Sequence, residues 1–397
     1  MSRDFGETWT ALAGGLPSVG WINVVKEHPK NPAVLFAGTE TGLFVSFNSG
    51  ADWTRFTNGF PTVPVDDLVI HPRDNDLVVA THGRALYVLD DISPLSGMTA
   101  AVAASELHLF PPRAATILQR WKHESYSAQR VFAGPNPPFG AMLTYHVKTA
   151  AKGRAGIVIK DASGSVVREL EGTAEAGFNR VVWDLRSAAP AVLTGQRGPL
   201  VLPGKYAVTV RAGGRESAAT VTVDPDSAFP LTDAERASRF TYLTEALKLQ
   251  ADLAQAAGDL RAVRDQLTPL QDQLKRQPSP PASVVDGVAR LAKSLAELQS
   301  RLGGGGGGGG GAEEGGGGGG GGGLRGRAGN LFSELDGSGI HQGSLTGPTI
   351  SQRQRLEAAR KDQQAFSIDL ERALGADLAA LNDDVARLKV PRLVRPR

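Results

Sequence analysis

None of the 397 residues is cysteine, so neither a disulfide nor a thiolate metal site contributes to this protein. Long apolar runs are missing as well. No stretch approaches the ~20 apolar residues of a membrane-spanning helix, so membrane insertion is not expected. These residues carry no signal-peptide pattern, which says nothing about export for the C-terminal part of a longer protein. Charge of one sign is also lacking. With Lys+Arg at 43 and Asp+Glu at 41, no global field attracts nucleic acid or an acidic membrane. The seven histidines are scattered without ligand spacing, so no metal site is expected, and no motif points to a cofactor.

What is present first is a repeat. "SRDFGETWTAL" opens the chain at Ser2, and "SFNSGADWTRF" returns at Ser46, with Asp4 and Asn48 44 residues apart. Both octets read Ser, any, Asp or Asn, any, Gly, any, Thr or Asp, Trp. The residues concerned are Ser2, Asp4, Gly6, Thr8 and Trp9, then Ser46, Asn48, Gly50, Asp52 and Trp53. Each type has a mechanical use. Asp4 or Asn48 can accept hydrogen bonds from turn amides, Gly6 or Gly50 can take a positive φ, and Trp9 or Trp53 can pack between blades. Between the octets, 21–27 and 33–47 read as strands around the turn "HPKNP", the second broken by "GTETG". Residues 65–91 repeat that order, with His28-Pro29 and His71-Pro72 43 apart. Histidines at a repeated position argue for architecture.

A period near 44 suits a four-stranded propeller blade. The octets resemble the Asp-box (BNR) repeat, S-x-D-x-G-x-[ST]-[WF], of sialidases and sortilin-type propellers. The second copy departs from it at Asn48 and Asp52. In that family the box lies late in a blade, and a ring needs about four blades. The resemblance therefore implies that residues 1–95 are a partial β-propeller and that the chain is the C-terminal part of a longer protein. The alternative is a chain that pairs its open blade edge with another copy.

Residues 96–140 read as a connector, and β alternation resumes over 141–225. Asp161 and Gly164 punctuate one hairpin, Pro203 and Gly204 open another, and five or more short strands at this spacing indicate a sandwich. The block resembles the Ig-like module of the flagellar hook-capping type through Ile159, Asp161, Gly164, Val166, Val167, Arg168 and Leu170. Gly177, Asn179, Val181, Trp183 and Asp184, then Pro203, Gly204 and Tyr206, extend the match. Trp183 is expected in the core, and Arg168 and Asp184 at the surface or in turns.

After residue 230 the period becomes helical. Thr232 and Glu235 form a capping box. Leu253, Ala256, Leu260, Val263, Leu267, Leu270 and Leu274 make a coiled seam that Pro269 is expected to kink or end. A second helix spans about 281–302, with Val284, Val288, Leu291, Leu295 and Leu298 on one face. A third spans about 351–388, with Phe366, Leu370, Leu374, Leu378, Leu381, Val385 and Leu388. Together they indicate an antiparallel bundle, or a partner-binding coiled coil with similar stripes. The glycine runs at 303–311 and 315–323 place a flexible linker over 303–348, of root-mean-square span roughly 25 Å for its Gly-rich part. The adjoining "LRGRAG" resembles an Arg-Gly RNA-binding tract only faintly. The expected fold is multidomain, mainly β then α: partial Asp-box propeller, Ig-like β-sandwich, helical hairpin over 230–302, Gly-rich linker, and a C-terminal helix over 349–390.

Candidate chemistry is sparse. His82, Gly83 and Arg84 form the most pointed group, with His82 and Arg84 able to present an anion-binding rim, or Arg84 to pair with Asp90 or Asp91. Asp66, Asp67, Asp90 and Asp91 are carboxylates of the right type for glycoside hydrolysis, against a reading as turn caps. Sialidase-like catalysis would need a Tyr nucleophile. Tyr87 is the only Tyr in the blade region, and the arginine motif F-R-I-P is absent. The segment order resembles the C-terminal end of large bacterial sortilin-like Asp-box proteins, often labelled glycosyl hydrolases. That implies a secreted or periplasmic protein with no assigned catalytic residue. Two functions follow as expectations: a non-catalytic scaffold binding a peptide, protein or glycan, or a glycoside hydrolase with its carboxylates elsewhere in a larger propeller.

Overall fold

The computed structural model describes residues 1–2, 4–119, 134–303, 323–338, 341–386 and 391–395. The chain is multidomain, mainly β and then α, and divides into two compact units. One comprises Met1–Ile117, Phe132–Leu185 and Pro203–Asp224; the other Leu118–Val131, Arg186–Leu202 and Pro225–Arg397. No described helix is long and apolar enough to cross a membrane.

The first unit opens with a four-stranded antiparallel sheet of β1 (Ile22–His28), β2 (Asn31–Thr39), β3 (Gly42–Ser46) and β4 (Thr54–Arg55), in that spatial order. A three-stranded sheet of β5 (Val65–Ile70), β6 (Leu77–Thr81) and β7 (Leu86–Leu89) follows. Val34, Phe36, Leu43 and Val45 share one core with Val65, Leu68, Leu77, Val79 and Ile92. Leu77 and Val79 hold the repeat positions of Val34 and Phe36, counting from His28 and His71. The two sheets thus meet through equivalent faces.

Two short helices, α1 (Ser93–Ser96) and α2 (Ala100–Ala104), lead into the rest of the unit. There β8 (Leu107–Leu109), β10 (Ala141–Val147) and β13 (Gly177–Trp183) form one sheet. A second contains β9 (Ala115–Ile117), β11 (Ala155–Lys160), β12 (Val166–Gly172), β14 (Gly204–Ala212) and β15 (Arg215–Pro225). The alternating burial of β11 and β14 gives the second sheet an inner face. Trp183 is fully buried and meets Tyr206 edge to face, with centroids 5.2 Å apart. Strands β8 and β9 come from the stretch read as a connector. They are only three residues each, too short to show a period.

Helices build the second unit: α3 (Asp233–Arg276), α4 (Ala282–Leu302), α5 (Leu324–Asp336), α6 (Ile350–Glu371) and α7 (Leu378–Ala386). The Thr232–Glu235 capping box starts α3, and a second box, Thr349–Gln352, starts α6. Every described residue of the expected stripes is buried, while Leu388 lies outside the described residues. Three expectations change. Of the two expected effects of Pro269, an end to the helix does not occur: α3 continues to Arg276. The proline costs about 3 kcal/mol, which burial of Leu270 and Leu274 at about 1.5–3 kcal/mol each offsets. The expected third helix contains a π-helical stretch, Arg372–Asp377, which keeps Leu370, Ala373, Leu374 and Leu378 all buried.

The third change concerns the linker. Residues 324–336, "LRGRAGNLFSELD", form α5, which buries Leu324, Ala328, Leu331, Phe332 and Leu335 in the bundle. The arginine-glycine tract is thus the start of a core helix, and its Arg327 pairs with Asp362 at 2.9 Å. The flexible segment expected over 304–322 lies outside the described residues. Its flanks touch: a Cβ on Gly323 would collide with the Gly303 backbone. Gly303 itself caps α4 in the left-handed region at φ 90°.

Asp336, at the end of α5, is 5% exposed and accepts from Arg186 at 2.7 Å and Arg239 at 2.9 Å. Arg186 also donates to the Gly198 carbonyl, and Arg239 Nε to the Ser344 carbonyl. Burial lowers the Arg239 pKa, and the Asp336 charge opposes that shift. One carboxylate therefore ties the 186–202 loop, α3 and the 337–345 turn together.

Deleting 304–322 and joining Gly303 to Gly323 should leave helix content by circular dichroism unchanged. It should stabilise the bundle by about 2 kcal/mol, from loop-closure entropy no longer lost. Asp336→Asn should destabilise the protein by about 3–5 kcal/mol in urea unfolding, because two buried guanidinium groups lose their counter-charge.

Candidate functional site

The two octets adopt the same turn. In the first, Ser2 Oγ accepts the amide of Gly6 at 2.7 Å, and Asp4 Oδ1 accepts the amide of Thr8 at 2.9 Å. In the second, Ser46 Oγ accepts from Gly50 at 2.9 Å and Asn48 Oδ1 from Asp52 at 2.9 Å. Each serine hydroxyl donates to the third residue, Asp4 at 2.8 Å and Asn48 at 2.9 Å. Phe5–Gly6 and Ser49–Gly50 both lie at positive φ.

The sequence differences compensate each other. Thr8 Oγ1 donates to the Asp4 carboxylate in the first turn, whereas Asn48 Nδ2 donates to the Asp52 carboxylate at 2.9 Å in the second. Donor and acceptor have exchanged places while the link persists. Hydrogen bonds from the Thr8 hydroxyl and amide and from Ser2 pull the Asp4 pKa down to about 2. The tryptophans diverge. Trp53 is buried against Ala37 and Phe44 and donates to the Leu12 carbonyl at 3.0 Å, whereas Trp9 donates to Gly6 and is 74% exposed. Trp53 thus packs on strands β2 and β3 of its own sheet, and Trp9 stays exposed.

The hairpin joining β6 and β7 carries His82 and Arg84. Gly83 (φ 81°) and Ala85 (φ 66°) turn the chain, and Thr81 Oγ1 donates to the Ala85 carbonyl at 2.7 Å. His82 Nδ1 lies 3.3 Å from Asp66 Oδ2, and both side chains are exposed. Arg84 is exposed, and among the described residues no ion pair joins it to Asp90 or Asp91. Arg180 takes that fastening role: it donates to the carbonyls of Asp90 at 2.8 Å and Asp91 at 2.9 Å, and to Thr144 Oγ1 at 2.9 Å.

The four candidate carboxylates are spread among structural duties. Asp66 faces His82, Asp67 accepts the Leu68 amide, and buried Asp91 accepts the Ser93 amide. Burial, then the nearby Asp76 charge, raises the Asp90 pKa. Tyr87 meets Phe60 edge to face at 5.0 Å and packs against the core between the sheets. No group of three or more His, Asp or Glu among the described residues is placed to hold a metal ion.

A surface that the sequence reading missed adjoins this hairpin. Val69, Val78 and Val88 stand directly opposite one another across β5, β6 and β7, and Ala80 faces Leu86. They form the face turned away from the shared core. Val69 is 53% exposed, Leu86 67% and Val88 57%. An antiparallel sheet usually alternates apolar and polar faces; here the outer face is apolar apart from exposed Asp67, which stands opposite Ala80. The alternation β7 offers, "LYVL", was legible only as apolar throughout. His82, Arg84 and Asp66 stand at the hairpin end of that face.

No protein-family model and no curated protein matches the chain. Among solved structures, it is similar to the extracellular domain of a one-component system from B. thetaiotaomicron. The identity is 10% and the TM-score 0.14, over 51% of this chain and 25% of that one. The extracellular domain of a hybrid two-component system from the same organism gives 9% and 0.16, over 53% and 26%. The BSP domain of a biofilm-associated protein gives 8% and 0.18, over 52% and 30%. In each case the chain spans less than a third of the neighbour's length. Likeness at these TM-scores fixes neither fold nor function.

The exchanged polarity of the two octet turns predicts a sign pattern. Asn48→Asp should lower the melting temperature by a few degrees, since it sets a second carboxylate beside Asp52. Asn48→Asp with Asp52→Thr should recover most of that loss, and Asp52→Thr alone should not raise stability. A thermal double-mutant cycle measures the coupling.

Proposed function

We propose that this chain is part of an exported, non-catalytic scaffold that binds a peptide, protein or glycan. On this reading the octet hairpins belong to an Asp-box propeller and the paired sheets of 141–225 to an Ig-like support. The binding surface is the outer face of β5–β7 with His82 and Arg84 at its rim. The observation that carries the reading is that open face, an apolar row of Val69, Val78 and Val88 beside an exposed cation and imidazole. Exposed apolar surface with a polar rim is the usual form of a docking site. The repeated turn, with the same hydrogen bonds 44 residues apart, supports the propeller assignment. Secretion or a periplasmic location follows from the family resemblance.

Peptide and glycan arrays probed with the purified chain test the proposal, alongside fluorogenic glycosides to detect hydrolysis. Val88→Lys and Arg84→Ala should each weaken a bound ligand at least tenfold while leaving the circular dichroism spectrum unchanged. Hydrolysis that disappears on changing Asp66 or Asp90 to Asn, with folding retained, would replace the scaffold reading by glycoside hydrolysis.

A further inference from the structure

His28 closes β1 at the seam between the first two sheets and has no exposed surface. Its Nδ1 accepts the amide of Lys30 at 3.1 Å, so the ring proton of the neutral imidazole resides on Nε2. The Asn75 side chain is the polar neighbour of the ring and favours its charged form, while Nε2 closes no hydrogen bond. Asn75 Nδ2 donates to Ser93 Oγ at 2.9 Å, and the Asn75 main-chain carbonyl accepts the Ile92 amide at 2.8 Å. Next to His28, Asn31 Nδ2 donates to the Ser96 carbonyl at 2.7 Å. These bonds stitch the 28–31 turn to the 71–76 turn and the 92–96 segment.

Protonating His28 requires a hydrogen on Nδ1, where the Lys30 amide already points, and a cation in a fully buried site. No nearby carboxylate is available to balance it. Lys30, on the same turn, adds a positive charge. In the 71–76 turn, Asp74 is held by Arg73 at 2.7 Å and lies 3.2 Å from His71. Asp76 accepts the Asp91 amide at 2.8 Å and faces Arg113 at 3.7 Å. Asp91 accepts the Ser93 amide, and Asp90 is set beside Asp76 and Arg180. No ion pair to His28 occurs among the described residues.

We propose that His28 is an acid-sensitive latch, which keeps the seam between the four-stranded and three-stranded sheets closed while its ring is neutral and opens it when the ring is protonated. His71 at the equivalent position is half-exposed and lies 3.2 Å from Asp74. Burial holds the His28 pKa below its usual value, against the opposing pull of Asn75 and with Lys30 adding to the lowering. An opened seam returns it to the ordinary value of about 6.5. The closed form therefore binds fewer protons than the open one below about pH 6.5. The opening constant should rise there by about tenfold per pH unit until the folded pKa is reached.

Amide exchange over 31–39 and 65–70, corrected for intrinsic rates and followed from pH 7.5 to 5, reads this directly. The full chain should lose protection below pH 6.5 at close to tenfold per unit. His28→Asn, whose Oδ1 can still accept the Lys30 amide, should abolish that dependence. His146→Gln, which removes the other histidine with a lowered pKa, should retain it. A flat profile in the unsubstituted chain, or a drop that survives His28→Asn and vanishes with His146→Gln, would overturn the proposal. Should His28→Asn fail to fold, nitrogen-15 shifts of the unsubstituted chain decide. An Nε2–H tautomer titrating below 6.5 sustains the latch, whereas an Nδ1–H tautomer or an ordinary pKa refutes it.

Discussion

The buried main-chain amides and carbonyls of irregular segments must find partners, and in this chain side chains supply many of them. The solutions recur. Ser2 and Ser46 take the glycine amides of the octet turns, and His28 and His71 take amides of the two hairpin turns through Nδ1. Arg180 takes the carbonyls at 90–91, and Arg239 the carbonyl of Ser344. Gln119 bridges the 343–345 turn, donating to the Gly343 carbonyl and accepting from the Leu345 amide. Each such bond is individually modest, but leaving the buried partner unpaired costs about 1–3 kcal/mol. The strands and helices pair themselves; these side chains decide where the chain turns between them.

The octets show how little of this depends on residue identity. What is kept between the copies is an oxygen at the first position, an oxygen at the third and a residue at positive φ at the fifth. The Asp4–Thr8 and Asn48–Asp52 links differ only in which residue supplies the hydrogen. The tryptophans diverge because only the second has a covered face to enter. Leu16 and Leu35 pack there with Ala37 and Phe44, and Gly14 supplies the carbonyl for the Trp53 amide. The octet is a turn former first, and its aromatic residue is used as the surroundings permit.

The helical unit shows tertiary burial overriding local signals. Pro269 breaks neither the seam nor the helix, and glycines do not keep 324–336 from folding, because each segment presents a stripe that the bundle can cover. Gly303, which caps α4, and Gly323, which precedes α5, are in contact, so the end of α4 and the start of α5 meet in the bundle.

The sequence by itself determined the elements whose information is local or periodic. The octet turns, the hairpins marked by His28 and His71, the Thr232 capping box and the leucine stripes were all readable, since spacing alone specifies a turn or a face. Trp183 in the core followed from strand alternation. It did not reveal the helix of 324–336, the short strands β8 and β9, or the Asp336 hub, whose three members stand 97 and 150 residues from one another along the chain. Nor did it place Arg180 where Arg84 was expected. For the candidate surface, His82 and Arg84 were legible as a polar hairpin tip, but the open valine row was not. Only tertiary structure decides which of two apolar faces a sheet buries, because the pattern along a strand that is apolar on both sides carries no direction.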